Sequence, residues 1–159
     1  MFLWERQISI LQAIEPDQIV ISGPHKEGYP ESVTVIPDDR GGGGPLRGIG
    51  TCLKQMRTDL LIVLAVDLAR IQPGFLRKLL TRSTRACGVV PVHENRFEPL
   101  VAVYPAAAAG IAIEQLTMGE FVLQCFAGRL STEGLISSYN VQLSEQVQIS
   151  NWNTPEDIR

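Results

Sequence analysis

From Leu60 to Val66 the chain reads LLIVLAV, an unbroken apolar run that stops at an acid, Asp67. A strand with water on one face alternates apolar and polar side chains, whereas one covered on both faces needs no polar position. Crossing a bilayer takes about 20 apolar residues, so this run is far too short for that. It predicts a strand buried on both faces of a parallel sheet, with Asp67 at its carboxyl end. The flanking segments supply the covering helices. Apolar residues at Leu3, Trp4, Ile8, Leu11 and Ile14 recur with helical spacing. Leu46 to Met56, Pro73 to Thr81, Ala107 to Leu116 and Glu120 to Leu130 read as further helices, the second with Pro in its first turn. Gln18 to Ser22, Ser32 to Ile36, Ala86 to Val92, Leu100 to Tyr104 and Val147 to Ile149 read as strands, and a short polar link makes the third and fourth of these a hairpin. Strands alternating with helices define an open α/β sheet with helices on both faces, mostly parallel with one antiparallel excursion. In such sheets ligands sit at the carboxyl ends of strands, which directs attention to the residues after Ile36, Val66 and Ile149.

At 159 residues, 45% of them apolar, the chain fits one domain with one core. Its net charge of −3 and lack of a basic cluster argue against a nucleic-acid partner, and no segment argues for a membrane. MFLWERQ lacks the order of a secretory signal. Three scattered cysteines read as reduced thiols of a cytoplasmic protein, and the two distant histidines make no metal-like pattern.

After Ile36 comes PDDRGGGGPLRGIG. Consecutive glycines let backbone approach a ligand closely, and Pro45 at a helix mouth leaves the other first-turn N–H groups free. The stretch is either a binding loop or a flexible strand-to-helix connection that holds nothing. No Gly-Lys-Ser/Thr follows, so it is not a P-loop. Asp38 and Asp39 oppose an anion and suit hydrogen-bond donors, such as a guanine edge or a ribose hydroxyl. Asp67 is costly at the end of a buried strand unless solvated, paired or bound to a metal. Magnesium, which typically takes one or two carboxylates plus substrate phosphates, suits it; so does a helix N-cap, or an ion pair with Arg70. Thr154 to Asp157 read as a helix start, leaving Asn151 and Asn153 free to turn toward the same crevice. Glu98, isolated before the strand LVAVY, carries no weight alone.

Taken together, PDD…GGPLRGI (Pro37 to Ile49), LIVLAVDLARI (Leu61 to Ile71), EPLVAVY (Glu98 to Tyr104) and NWNTPEDI (Asn151 to Ile158) resemble the molybdenum-cofactor guanylyltransferases, a nucleotidyltransferase family. The resemblance implies a Rossmann-like three-layer α/β/α fold and transfer of GMP from GTP to molybdenum-molybdopterin, with pyrophosphate leaving. It implies Mg2+ on Asp67, a guanine-nucleotide contact at Asp38 or Asp39, and the base against Gly43, Gly44, Pro45 and Leu46. It also implies Asn151 and Asn153 near the second substrate or the metal, and dealings with proteins that build or accept the cofactor. In-line attack by a phosphate monoester needs positioning and charge neutralisation rather than a side-chain nucleophile, which fits these residue types.

The departures are as informative. Family members open with a strand and a loop approximating GGxSxRMGxDK that holds the triphosphate, whereas MFLWERQ aligns with the helix after that loop. On this reading residues 1–159 form a single nucleotidyltransferase-like domain, N-terminally truncated, with the first strand and loop missing. Either Met1 stands inside a longer active enzyme, or the chain is a catalytically inactive nucleotide-binding or interaction remnant. A nucleotidyltransferase for another base or acceptor, such as CTP or a sugar phosphate, is the neighbouring alternative. Ala69 stands where the family favours proline, Arg47 where it favours alanine, and Trp152 between the two asparagines.

Overall fold

A computed structural model describes residues 1–37 and 41–151. Helix α1 (Leu3–Gln12) leads to strands β1 (Val20–Ser22) and β2 (Thr34–Ile36), then α2 (Gly44–Gln55), β3 (Leu60–Leu64) and α3 (Pro73–Arg82). Next come β4 (Gly88–His93), β5 (Arg96–Phe97), β6 (Val101–Pro105), α4 (Ala108–Thr117), α5 (Leu123–Thr132), β7 (Ile136–Asn140) and a 3₁₀ helix, Leu143–Gln148. β1 and β2 form a parallel two-stranded sheet. The larger sheet has the order β3-β6-β4-β5, with β7 on β4. Because β6 pairs antiparallel with both β3 and β4, while β7 lies parallel to β4, strands β3, β4 and β7 share one direction. β6 is the antiparallel excursion, with the short β5 hairpinned onto β4.

The period-2 geometry of the strands sorts the core into two layers. Leu60, Ile62 and Leu64 join Val101 and Val103 on the face covered by α1 and α3, through Ile10, Phe75, Leu76 and Leu79. Leu61 and Val63 join Ala102 and Tyr104 on the opposite face, covered by α2, α4 and α5 through Leu46, Ile49, Ala112, Phe126 and Leu130. The three-layer α/β/α arrangement expected from the sequence is therefore present.

Three local expectations change. β3 does send side chains to both faces, but all five are half-buried. Its one partner in the described sheet is β6, and a strand at a sheet edge keeps one flank open. The segment expected to be a strand at Val147 to Ile149 is the end of the 3₁₀ helix, with Ile149 as its cap. The last strand is instead β7, whose ISSYN sequence buries Ile136 and Tyr139 and exposes the serines between them.

That 3₁₀ helix is tied down by a buried carboxylate. Glu145 accepts from Tyr139 Oη at 2.7 Å and from the Gln142 N–H at 3.0 Å, and pairs with Lys78 of α3. Burial pushes the Glu145 carboxyl up, but the Lys78, Tyr139 and Gln142 hydrogen bonds overcome it and hold the group below the usual carboxylate value. A depressed carboxyl stabilises the fold above its unfolded pKa, and that contribution disappears as pH falls through the folded one. Glu145→Gln is therefore expected to lower the thermal midpoint by several degrees at neutral pH. The gap from the parent should close on acidification below the carboxylate range, followed by thermal melts at stepped pH.

Candidate active site

Of the three places the sequence singled out, the one after Val66 lies at the carboxyl end of β3 on the larger sheet, whereas Ile36 ends β2 on the smaller sheet and Ile149 caps the 3₁₀ helix. Leu64 pairs with Val101, and the Ala65 N–H continues the ladder to Leu100 O at 2.8 Å. The carboxyl end of β3 therefore lies beside the start of β6. The Glu98 N–H donates to Pro91 O at 2.8 Å, and the Val141 N–H to Val92 O at 3.0 Å, so the ends of β4 and β7 line up on the same edge.

Asp67 leaves this edge on a turn between β3 and α3, half-buried. Gln72, not Asp67, is the N-cap residue of α3. Among the described residues the Asp67 carboxylate makes no ion pair. The turn itself is held tightly. The Ala69 N–H donates to Asp67 O at 3.0 Å, and Ile71 to Leu68 O at 3.3 Å. From α1, Gln7 Nε2 reaches Ala65 O at 2.9 Å, Leu68 O at 3.0 Å and Val66 O at 3.4 Å, and Arg6 Nη2 reaches Ile71 O at 2.8 Å.

The end of the 3₁₀ helix is drawn to the same place. Ile149 packs in the apolar cluster that holds Leu68 and Ile71, and the Gln72 N–H donates to Gln148 Oε1 at 3.1 Å. Asn151, exposed, follows two residues later. Asn153, Asp38 and Asp39 lie outside the described residues.

The glycine stretch leaves the end of β2, on the smaller sheet. Gly42, Gly43 and Gly44 all adopt positive φ, at 72°, 103° and 53°, a run that side chains on L residues strongly disfavour. A Cβ on Gly43 would also meet Leu116 Cδ2 at 3.2 Å and Arg47 Nε at 3.2 Å. Arg47, whose side chain the family pattern did not anticipate, folds back so that its Nε donates to Gly42 O. The stretch is thus a shaped loop rather than slack chain. Pro45 is exposed on it, while Leu46 turns its side chain fully into the core. A cleft of about 480 Å³ opens beside this loop, lined by Ile36, Pro37, Arg47, Thr51, Lys54 and Leu116. Another, of about 550 Å³, runs along α5 past Cys125 and Arg129, and none of the nominated site residues lines it.

Glu98 gains a setting the sequence did not give it. Its turn is pinned by the buried Tyr104, whose hydroxyl donates to Pro99 O at 2.7 Å. Partial burial pushes the Glu98 carboxyl up, against the pull of His93 and Arg96. The sequence signal was Glu-Pro directly before an apolar strand at the sheet's ligand edge. Gln7 had no signal at all, since a glutamine on an amphipathic helix reads as solvated.

A three-layer α/β/α sheet with an acid just past the carboxyl end of β3 is the architecture of the nucleotidyltransferases. Solved structures agree on the fold. The chain superimposes on molybdopterin-guanine dinucleotide biosynthesis protein A from Archaeoglobus fulgidus with a TM-score of 0.64 at 23% identity, over 97% of this chain and 71% of that one. On 2-C-methyl-D-erythritol 4-phosphate cytidylyltransferase from Thermus thermophilus the TM-score is 0.72 at 13% identity, over 98% and 85% of the two chains. The chain belongs to the MobA-like NTP transferase domain family, whose sequence model matches residues 1–129. It is 30% identical to a probable molybdenum cofactor guanylyltransferase of Opitutus terrae, across 98% of this chain and 79% of that protein.

Proposed function

We propose that the protein is a cytoplasmic, single-domain guanylyltransferase that moves GMP from GTP onto the phosphate of molybdenum-molybdopterin and releases pyrophosphate. The observation that carries this reading is Asp67. It is a half-buried carboxylate with no ion pair among the described residues, at the carboxyl end of β3, on a turn fastened from two sides, in a chain of this family. Names carried by relatives supply the base and acceptor. Reduced thiols, with no disulfide among the described residues, fit the cytoplasm.

Among the described residues no three His, Cys, Asp or Glu side chains gather into a metal cluster. Magnesium does not require one, because substrate phosphates and water complete its shell around one or two carboxylates. Asp67 fits that role, and the segment leading to Asn151 packs against the same turn. Bound there, Mg2+ would offset the charge that builds on the phosphates during transfer. The remaining work belongs to the chain. The shaped loop at Gly43, Gly44 and Pro45, anchored through the buried Leu46 and following Asp38 and Asp39 in the sequence, holds the base and ribose. Asn151 and Asn153 orient the acceptor. The acceptor phosphate is its own nucleophile and attacks the α-phosphorus as the bond to pyrophosphate breaks, so no side chain must form a covalent intermediate.

The test is pyrophosphate release and dinucleotide formation by the full-length protein with magnesium, molybdenum-molybdopterin and either GTP or CTP. GTP is expected to be preferred by about 10²-fold or more, because a site built to hydrogen-bond one base edge leaves polar groups unpaired against another. Preference for CTP would overturn the guanine assignment. Failure to bind any nucleotide would leave an interaction domain as the better reading.

A further inference from the structure

We propose that Gln7 is a positioning residue for Asp67, its side-chain amide holding the turn that aims the carboxylate at the metal and triphosphate. The inference rests on the reading of Asp67 above and extends it to a residue on another element. Gln7 lies on the buried side of α1, 5% exposed. Its Nε2 faces three carbonyls of one turn, those of Ala65, Val66 and Leu68, which bracket Asp67. Two amide hydrogens shared among three acceptors hold a turn more firmly than any one bond. The opposite rotamer would crowd four oxygens together, so the donor orientation is fixed by chemistry.

The neighbouring bonds complete the same device. The Asp67 carbonyl is taken by the Ala69 N–H, and the Ile71 carbonyl by Arg6. Every carbonyl from Ala65 to Leu68 therefore has a donor, three of them through Gln7. Gln7 Oε1 is buried with no partner among the described residues. That unsatisfied acceptor costs about 1–3 kcal/mol and offsets part of what the three bonds contribute, so the arrangement is not tuned for stability alone. What glutamine adds is a defined path for the backbone on either side of one carboxylate. Groups that orient a metal ligand are worth about 10- to 100-fold in metal affinity or activity when removed.

The experiment compares Gln7→Leu, Gln7→Glu and Asp67→Asn in the full-length protein. It measures kcat and KM for GTP, Mn2+ affinity in the presence of GTP, amide exchange at 65–71, and the pH profile. Gln7→Leu is expected to lower kcat and weaken Mn2+ by about 10- to 100-fold, with KM for GTP little changed and exchange at 65–71 accelerated. Gln7→Glu adds a readout that survives if the leucine variant fails to fold. Its carboxylate would face three carbonyls, so it works only when protonated, and activity relative to the parent should rise as pH falls. Accelerated exchange with unchanged kcat and Mn2+ affinity would overturn the proposal, leaving Gln7 a merely structural residue. A Gln7→Glu profile parallel to the parent's would also overturn it. If Asp67→Asn binds Mn2+ as the parent does, the reading of Asp67 itself fails, independently of what Gln7 does to the turn.

Discussion

Asp67→Asn is expected to cut kcat by about 10³-fold or more while the protein folds and melts as the parent does. The two side chains have the same shape, and Asp67 has no ion-pair partner among the described residues to lose. Its turn is held by backbone bonds and by Gln7 and Arg6, none of which involves the carboxylate. Removing the charge therefore changes little in the folded state. In the transition state it removes the one anionic ligand assigned to the metal, where charge neutralisation supplies several kcal/mol. About 4 kcal/mol corresponds to that 10³-fold. The pattern to look for is a collapse of pyrophosphate release beside an unchanged circular dichroism spectrum and melting curve. Activity within tenfold of the parent would remove Asp67 from the metal role. A large drop in melting temperature would mean that the carboxylate has a structural partner, contrary to the geometry.

The layers of the fold were legible because burial writes itself into periodicity. LLIVLAV announced a strand, and the helical spacing around Leu3, Ile8 and Leu11 announced α1. Legibility failed where few side chains carry the pattern. In β7 two outward serines separate Ile136 from Tyr139, so the segment resembles loop, and what makes it a strand is its parallel ladder with β4. At Val147 to Ile149 the apolar letters suggested a strand. Ile149 and the buried Glu145 instead anchor a 3₁₀ helix onto the α3 side, a tertiary bond set no local window contains. β3 exposed the limit of composition in another way, since residue type shows that both faces are apolar but not whether both edges are paired.

The candidate site divides along the same line. Asp67 and Asn151 were nominated because ligands of open sheets collect at strand carboxyl ends; the segment before Asn151 is a 3₁₀ helix rather than a strand, and it meets the Asp67 turn through Leu68, Ile71 and Ile149. The glycine loop was found from composition, but the reason for its glycines, three successive positive φ angles, is a backbone fact. Gln7 and Tyr104 were invisible because they act on carbonyl oxygens, which every sequence has at every position.

Gly88→Ala is the substitution expected to do most harm to the fold itself. Gly88 opens β4, where its N–H donates to Leu135 O at 2.9 Å and it pairs with Ile136 of β7. On its other side β6 crosses so closely that an added Cβ would overlap the Val103 carbonyl oxygen, with the carbonyl carbon at 2.8 Å and Tyr104 Cα at 3.0 Å. All three are backbone atoms, so no rotamer change can open the space. β4 or β6 must move instead. Moving either strains the Val89–Val103 pairing and shifts Tyr104, which is fully buried against Phe126 and ties down the turn after Glu98. Overpacking a core with one methyl typically costs about 1–3 kcal/mol when side chains can adjust. Against fixed backbone the cost should reach about 4 kcal/mol, a large part of the stability of an ordinary domain. The expected result is insoluble protein, or a melting temperature about 8–16 °C lower on a scale of about 2–4 °C per kcal/mol for a chain of this size. Gly74→Ala serves as control, because a Cβ there meets nothing within 4 Å. Equal melting temperatures for the two variants would show that β4 and β6 do not approach each other in solution as closely as described.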